Sequence, residues 1–280
     1  MSIPSVTPQY KDLAYASRSE AEKLDIYLPE GSGPFPLVVS VHGGAFMMGD
    51  KGDPFAVEGF DQLLQAGYAL ASINYCLSGE VIAPAQIQDV KAAVRWLRAH
   101  AREYHLKPEK IGAWGASAGG NLVALLGVSC SVPVLEGADL GNATQSSCVQ
   151  AVIDWFGPTD FGQMDSQFAG NGCPQTHNDP DSPESRLVGA PIQLRPDLVK
   201  AANPITYVTP FAPPFLIMHG TEDCIIPPQQ SQLLYNALLA AIGVDKVTLV
   251  FLHGAGHGGP QFFESSSMKR VINFLDCHIK

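Results

Sequence analysis

The chain has 280 residues, 46% of them hydrophobic, which is enough for one large buried core and suits a single α/β domain. Its 17 Lys and Arg against 27 Asp and Glu give a formal charge of -10, which argues against nucleic-acid and anionic-membrane partners. No apolar run approaches the roughly 20 residues of a membrane helix, and Met1 to Lys11 is polar with no signal-peptide core, so a soluble chain is expected, cytoplasmic or exported with a leader removed.

In chain order, the first 28 residues fit a strand pair, with Glu22 to Leu28 alternating polar and apolar. From about residue 36 onward, strand-like runs alternate with helix-like segments. Leu37 to Val41, Ala69 to Ile73, Ile111 to Trp114, Val149 to Trp155, Phe215 to Met218 and Val247 to Leu252 are short and rich in β-branched or aromatic residues, as strands buried on both faces are. Between them, helices are expected at about Val57 to Gln65, Ala85 to Tyr104, Gly119 to Val128, Gln229 to Ala241 and Gln261 to His278. The second carries Ile87, Val90, Val94, Leu97 and Ala101 on one stripe, with Pro84 at its start. This alternation predicts an α/β fold of one domain over 1–280, with a mostly parallel central sheet and helices on both faces. The stretch 157–213, rich in Pro, Asp, Asn, Gly and Ser, breaks the rhythm. It reads as an inserted excursion near the functional site, shaping a substrate pocket.

Six scattered cysteines (Cys76, Cys130, Cys148, Cys173, Cys224, Cys277) show no C-x-x-C pair or zinc spacing. They read as reduced thiols, with one disulfide among Cys130, Cys148 and Cys173 if the protein is exported. No metal and no cofactor is expected.

Four motifs carry chemistry. Gly115-Ala116-Ser117-Ala118-Gly119 follows a strand and opens a helix, which is the context a G-x-S-x-G nucleophile elbow requires. The turn presents Ser117 at the carboxyl edge of the sheet and aims the backbone N–H of Ala118 at a developing oxyanion. His42-Gly43-Gly44-Ala45-Phe46 ends an earlier strand as a glycine-rich turn of the oxyanion-loop type, with Gly44 and Ala45 as donors alongside Ala118; which of Gly43, Gly44 and Ala45 donate is open by one residue. Asp223, in Gly220-Thr221-Glu222-Asp223, lies just past a strand end, where a carboxylate can orient an imidazole, with Glu222 as its rival. Asp154 and Asp160 fit that position less well. His257, flanked by Gly256 and Gly258, is the candidate base, since an imidazole titrating near pH 6.5 takes and returns a proton at neutral pH. His253, His42 and His219 read as structural. Phe46, Met47, Met48, Trp155, Phe156 and Phe161 lie near the expected site, as pocket walls or as core.

On these motifs the chain resembles the hormone-sensitive-lipase-like carboxylesterases of the α/β-hydrolase fold, and more closely the compact group related to bifunctional feruloyl and acetyl-xylan esterases. Asp25-Ile26-Tyr27-Leu28-Pro29, Asn74-Tyr75, Pro84-Ala85-Gln86, Asp154-Trp155-Phe156-Gly157-Pro158 and Ala202-Asn203-Pro204-Ile205 extend the resemblance over nearly the whole chain. It implies a cofactor-free esterase acting on short acyl groups, with an acetyl or feruloyl ester on plant polysaccharide as one such substrate. Two positions depart from the family pattern: Cys76 stands where an arginine usually follows Asn-Tyr, and Ala45 replaces a third glycine. The alternatives are an amidase or peptidase on the same fold, and a silent hydrolase fold used for binding.

Overall fold

The computed structural model describes residues 6–130 and 132–280. Of the first 28 residues, expected to form a strand pair, residues 1–5 lie outside the described residues. The rest of that stretch forms β1 (Tyr10–Ala14) and β2 (Lys23–Tyr27). There follow β3 (Phe35–Val41), α1 (Phe60–Gln65), β4 (Ala69–Ile73), α2 (Ala85–Ala99), β5 (Leu106–Ala116), α3 (Ala118–Val128) and α4 (Pro133–Glu136). After β6 (Ala151–Trp155) come α5 (Met164–Gln167), α6 (Pro183–Val188) and α7 (Pro196–Ala202), then β7 (Phe215–Gly220), α8 (Gln229–Ile242), β8 (Val247–Leu252) and α9 (Ser265–His278). The strands make one sheet in the order β1-β2-β4-β3-β5-β6-β7-β8. β1 and β2 pair antiparallel, β2 joins β4 antiparallel, and all later pairings are parallel.

Side chains alternate across a strand with period two, and this sheet buries both faces. Leu37, Val39, Val41, Ile111, Ala113 and Ile217 point to one face, against Val90, Val94 and Leu97 of α2, Leu122 and Leu125 of α3 and Leu234 of α8. Val38, Leu70, Trp114, Ile153 and Met218 point to the other, against Phe60 and Leu63 of α1 and Met268, Val271 and Leu275 of α9. The helix expected to reach Tyr104 stops at Ala99, because Leu106 returns its N–H to the Ala101 carbonyl at 2.8 Å and His105 turns to φ 56°. Ala101 and Tyr104 remain buried in that turn, which is why the apolar pattern runs past the true helix end. α9 starts at Ser265, later than expected, after a short 3-10 turn at Pro260–Phe262.

The excursion holds α5, α6, α7 and three 3-10 turns. Leu187, Val188, Ile192 and Val199 bury into the α2/α3 side of the core. Asn121 of α3 ties the excursion down at two points, donating through Nδ2 to the Pro158 carbonyl (2.9 Å) and the Ala202 carbonyl (3.3 Å).

The expectation of reduced thiols is corrected by two disulfides, Cys130–Cys148 and Cys173–Cys224. Spacing alone cannot reveal either, because their Cα atoms meet only once the loops fold. Cys76 stays a buried thiol and Cys277 an exposed one. Cys76, which stands where the resemblance places an arginine, lies against a carboxylate paired with an arginine of another segment. Arg18 brings Nη1 to 3.4 Å from Oδ1 of the buried Asp89, whose Oδ2 accepts the Cys76 N–H at 2.9 Å.

Asp154, at the end of β6, is fully enclosed; burial pushes its carboxyl up to about 7, although the Gly157 N–H donates to Oδ1 at 3.0 Å. A raised acid pKa means that the folded chain holds a proton the unfolded chain releases. The contribution is therefore complete below pH about 3.8 and lost as pH climbs through about 7. Asp154→Asn is expected to gain stability over the wild type as pH rises from 5 to 8, by up to about 3 kcal/mol. Urea midpoints at both pH values measure this, and a gain that does not grow with pH would contradict it. Loop closure over 51 residues makes the Cys173→Ser/Cys224→Ser pair cost about 4 kcal/mol, and closure over 18 makes Cys130→Ser/Cys148→Ser cost about 3 kcal/mol. Denaturant unfolding of the two double variants reads both values.

Candidate active site

The site forms where β5 turns into α3. Ser117 sits in that turn at φ 56° and ψ -123°, a left-handed conformation that L-residues reach only when their surroundings impose it. The flanking glycines explain how the turn closes. A Cβ on Gly115 would lie 2.2 Å from the Gly119 carbonyl oxygen, and one on Gly119 would lie 2.1 Å from that of Val41. α3 thus starts against the end of β3, with the orphan N–H groups of its first turn beside Ser117.

Two loops bring the other groups to the same edge. Glu222 donates its N–H to the Ala255 carbonyl at 2.9 Å, Thr221 to Leu252 at 3.0 Å, and Gly254 to the Thr221 hydroxyl at 3.0 Å. The loop after β7 and the loop after β8 are thereby zipped together. Across them His257 Nδ1 lies 2.8 Å from Asp223 Oδ2, and His257 Nε2 lies 2.9 Å from Ser117 Oγ.

Asp223 is buried, and its carboxylate is saturated with donors. Oδ1 accepts the N–H groups of Ile225 (2.8 Å) and Ile226 (2.9 Å), while Oδ2 faces His257 and, at 3.2 Å, His219 Nε2. Burial opposes its charge, yet the hydrogen bonds and Coulombic pull of His219 and His257 outweigh burial and hold the carboxyl well below the usual carboxylate range. A permanent anion against Nδ1 fixes the tautomer that leaves Nε2 free to accept a proton from the serine. His219 is also within 2.7 Å of Ser231 Oγ through Nδ1 and 3.0 Å of the Ile226 carbonyl through Nε2. Its loop-backbone contact agrees with a structural reading; its contact with Asp223 is the part sequence reasoning missed. The signal was its position four residues before the acid.

The competing residues lie elsewhere. Glu222 and His253 are exposed. Asp154 binds the Gly157 N–H, and Asp160 caps a 3-10 turn through the Gly162 N–H at 3.2 Å. His42 stacks on Tyr75 and holds Nδ1 2.7 Å from the Gly43 carbonyl, and burial pushes its pKa down.

In the loop after β3, Gly43 packs on the serine: a Cβ there would lie 3.0 Å from the Ala116 carbonyl oxygen and 3.3 Å from Ser117 Cβ. Gly44, Ala45 and Phe46 all have positive φ, and the Met47 and Met48 N–H groups are spent on the Gly44 carbonyl. Among the aromatic residues named as candidate walls, Phe156 meets the site, its ring centroid 4.7 Å from that of His257. Phe46 is buried, with its ring 6.3 Å from Phe161, and Met47 is half-buried. Trp155 belongs to the core, packed between Trp114 at 4.8 Å and Phe262 at 5.1 Å. Phe156 lies one residue past the end of β6 with φ 42°, and its ring packs on Phe262 as that of Trp155 does while also reaching His257.

The BD-FAE family model matches residues 24–238. A truncated carbohydrate esterase from gut microbiota superposes with a TM-score of 0.86 at 36% identity, covering 97% of each chain. The butyrate-bound Thermogutta terrifontis esterase Est2 has a TM-score of 0.74 at 25% identity, over 98% of this chain and 94% of that one. Esterase LipC of Mycobacterium tuberculosis is 32% identical over 228 residues, 80% of this chain and 53% of its own length. The chain spans about half the length of the curated relatives it matches first. With an eight-stranded, mostly parallel sheet, helices on both faces and esterases as its relatives, the chain belongs to the BD-FAE family on the α/β-hydrolase fold.

Proposed function

We propose that the chain is a serine esterase that hydrolyses short-chain acyl esters, with Ser117 as nucleophile, His257 as general base and acid, and Asp223 as the group that orients His257. One observation carries this reading: the two nitrogens of His257 lie within hydrogen-bonding distance of Ser117 Oγ and Asp223 Oδ2 at once. Ser117 Oγ attacks the ester carbonyl while its proton passes to His257 Nε2. The tetrahedral oxyanion is held by backbone N–H groups of Gly44, Ala45 and Ala118. Collapse of this intermediate expels the alcohol, which takes the proton from His257. Water, deprotonated by the same imidazole, then attacks the acyl-enzyme and releases the acid and Ser117.

Two likenesses support the substrate class. Est2 of Thermogutta terrifontis has been seen with butyrate and with propionate bound, and the gut-microbiota neighbour is a carbohydrate esterase. Acetyl or feruloyl esters on plant polysaccharide are the corresponding substrates here. The two disulfides favour an oxidising compartment. Among the described residues no helix is long and apolar enough to cross a membrane.

Ser117→Ala is expected to lower kcat on p-nitrophenyl acetate by about 10⁶-fold, and Asp223→Asn by about 10⁴-fold, with the far-UV circular dichroism spectrum unchanged. A folded Ser117→Ala variant that keeps wild-type turnover would remove the assignment. On p-nitrophenyl esters of rising acyl length, kcat/KM is expected to be highest for acetyl to butyryl, and acetylated xylan and methyl ferulate compared side by side show which natural ester is cleaved.

A further inference from the structure

His177, in the excursion between α5 and α6, is buried and reaches the loop that carries Asp223. Its Nε2 lies 2.9 Å from the Ile225 carbonyl oxygen, and its Nδ1 lies 3.1 Å from Glu184 Oε1 on α6. From α5, Asp165 fixes the backbone beneath the ring, accepting the His177 N–H at 3.0 Å and the Asn178 N–H at 2.9 Å. The ring stacks over Phe168, with centroids 6.0 Å apart.

Both ring nitrogens thus face atoms that accept, a carbonyl and a carboxylate. A neutral imidazole has one N–H, so either tautomer would set a lone pair against an acceptor, and only the imidazolium serves both. Glu184 is itself buried, with Oε2 unpartnered among the described residues, so the imidazolium also balances a charge that burial would otherwise penalise. Burial opposes the charge on His177, but the hydrogen bond and Coulombic pull of Glu184, joined by Asp165 and the Ile225 carbonyl, outweigh burial and raise its pKa above that of an ordinary imidazole.

The Ile225 carbonyl belongs to the same peptide unit as the Ile226 N–H, and that N–H donates to Asp223 Oδ1 at 2.9 Å. One planar unit therefore has His177 on one side and the Asp223 carboxylate on the other. The loop is fastened beside this point as well, since Cys224 is bonded to Cys173 of the same excursion. We propose that His177, in its cationic form, is a positioning residue for the reaction: it grips the Ile225–Ile226 peptide, so fixes the carboxylate that orients His257, and turnover falls when it gives up its proton. The inference rests on the roles of Ser117, His257 and Asp223 given above. His177 touches no reacting atom, so its effect belongs in kcat rather than KM.

The test is a pH profile of the full chain on p-nitrophenyl butyrate, corrected for spontaneous hydrolysis. In the wild type kcat is expected to fall about 5-fold between about pH 7 and 9.5 with KM within about 2-fold, one net hydrogen bond being worth about that factor. Glu184→Gln supplies an amide that donates to Nδ1 and leaves Nε2 its proton without any need for charge, so the alkaline fall is expected to disappear. His177→Phe keeps a ring but neither donor, and is expected to hold kcat near the lowered alkaline level across the whole range. In nuclear magnetic resonance, the assigned His177 ring of the wild type is expected to titrate at the midpoint of the kinetic fall. A wild-type profile flat to pH 9.5, a fall that persists in a folded Glu184→Gln, or a His177 midpoint away from the kinetic one would each overturn the proposal. Should neither variant fold, the two wild-type midpoints decide. Turnover that survives Ser117→Ala would instead remove the roles on which the inference rests, an outcome distinct from any of these.

Discussion

The contact on which the site depends is backbone against backbone: the first turn of α3 lies against the ends of β3 and β5, with no side chain between them. Ser117 is held in a left-handed conformation that costs on the order of 1–3 kcal/mol, and such strain persists only where the surroundings over-determine it. Here they do. Ser117 donates its N–H to the Trp155 carbonyl at 2.9 Å, β3 and β5 are central strands, and both faces of the sheet are sealed by helices. A hydroxyl fixed this way does not have to be found by a moving side chain, and the approach of α3 to the loop after β3 sets the space available for an oxyanion.

Charge is arranged by the same logic. One buried carboxylate carries the negative charge, and four donors converge on it, two from its own loop and two from imidazoles. Donors supplied by the fold need no reorganisation when charge shifts during a reaction, which makes them worth more than equivalent groups in water. His219 is part of this shell, and through Ser231 it links the acid to α8.

Much of this was legible in the residues. Runs such as Leu37 to Val41 can hardly be anything but doubly buried strands, and the glycines of the nucleophile turn announce a close approach before any coordinates exist. The order Ser117, Asp223, His257 is equally plain. What could not be read depends on distance in space. The end of α2 was misplaced because Ala101 and Tyr104 are buried as a turn and so keep the helical pattern. Two short helices of the excursion do carry local signals, Pro183 and Pro196 in their first turns and Ser182 capping α6 through the Ser185 N–H, but their length is too small for an apolar periodicity to show. Cysteine pairing depends on where loops meet, and Phe156 reaches His257 only after the chain has left β6.

The Cys173–Cys224 bridge closes a covalent ring around α6, α7 and β7, and one of its sulfurs is the immediate neighbour of Asp223. The excursion is also where the surface is most accessible, with Gln193 to Asp197 exposed in a row. A protease that nicks the backbone there leaves two pieces still joined through sulfur, with the acid loop anchored on both sides. Intact mass on a non-reducing gel and an uncut polypeptide are therefore different properties of this molecule, and only reductant tells them apart.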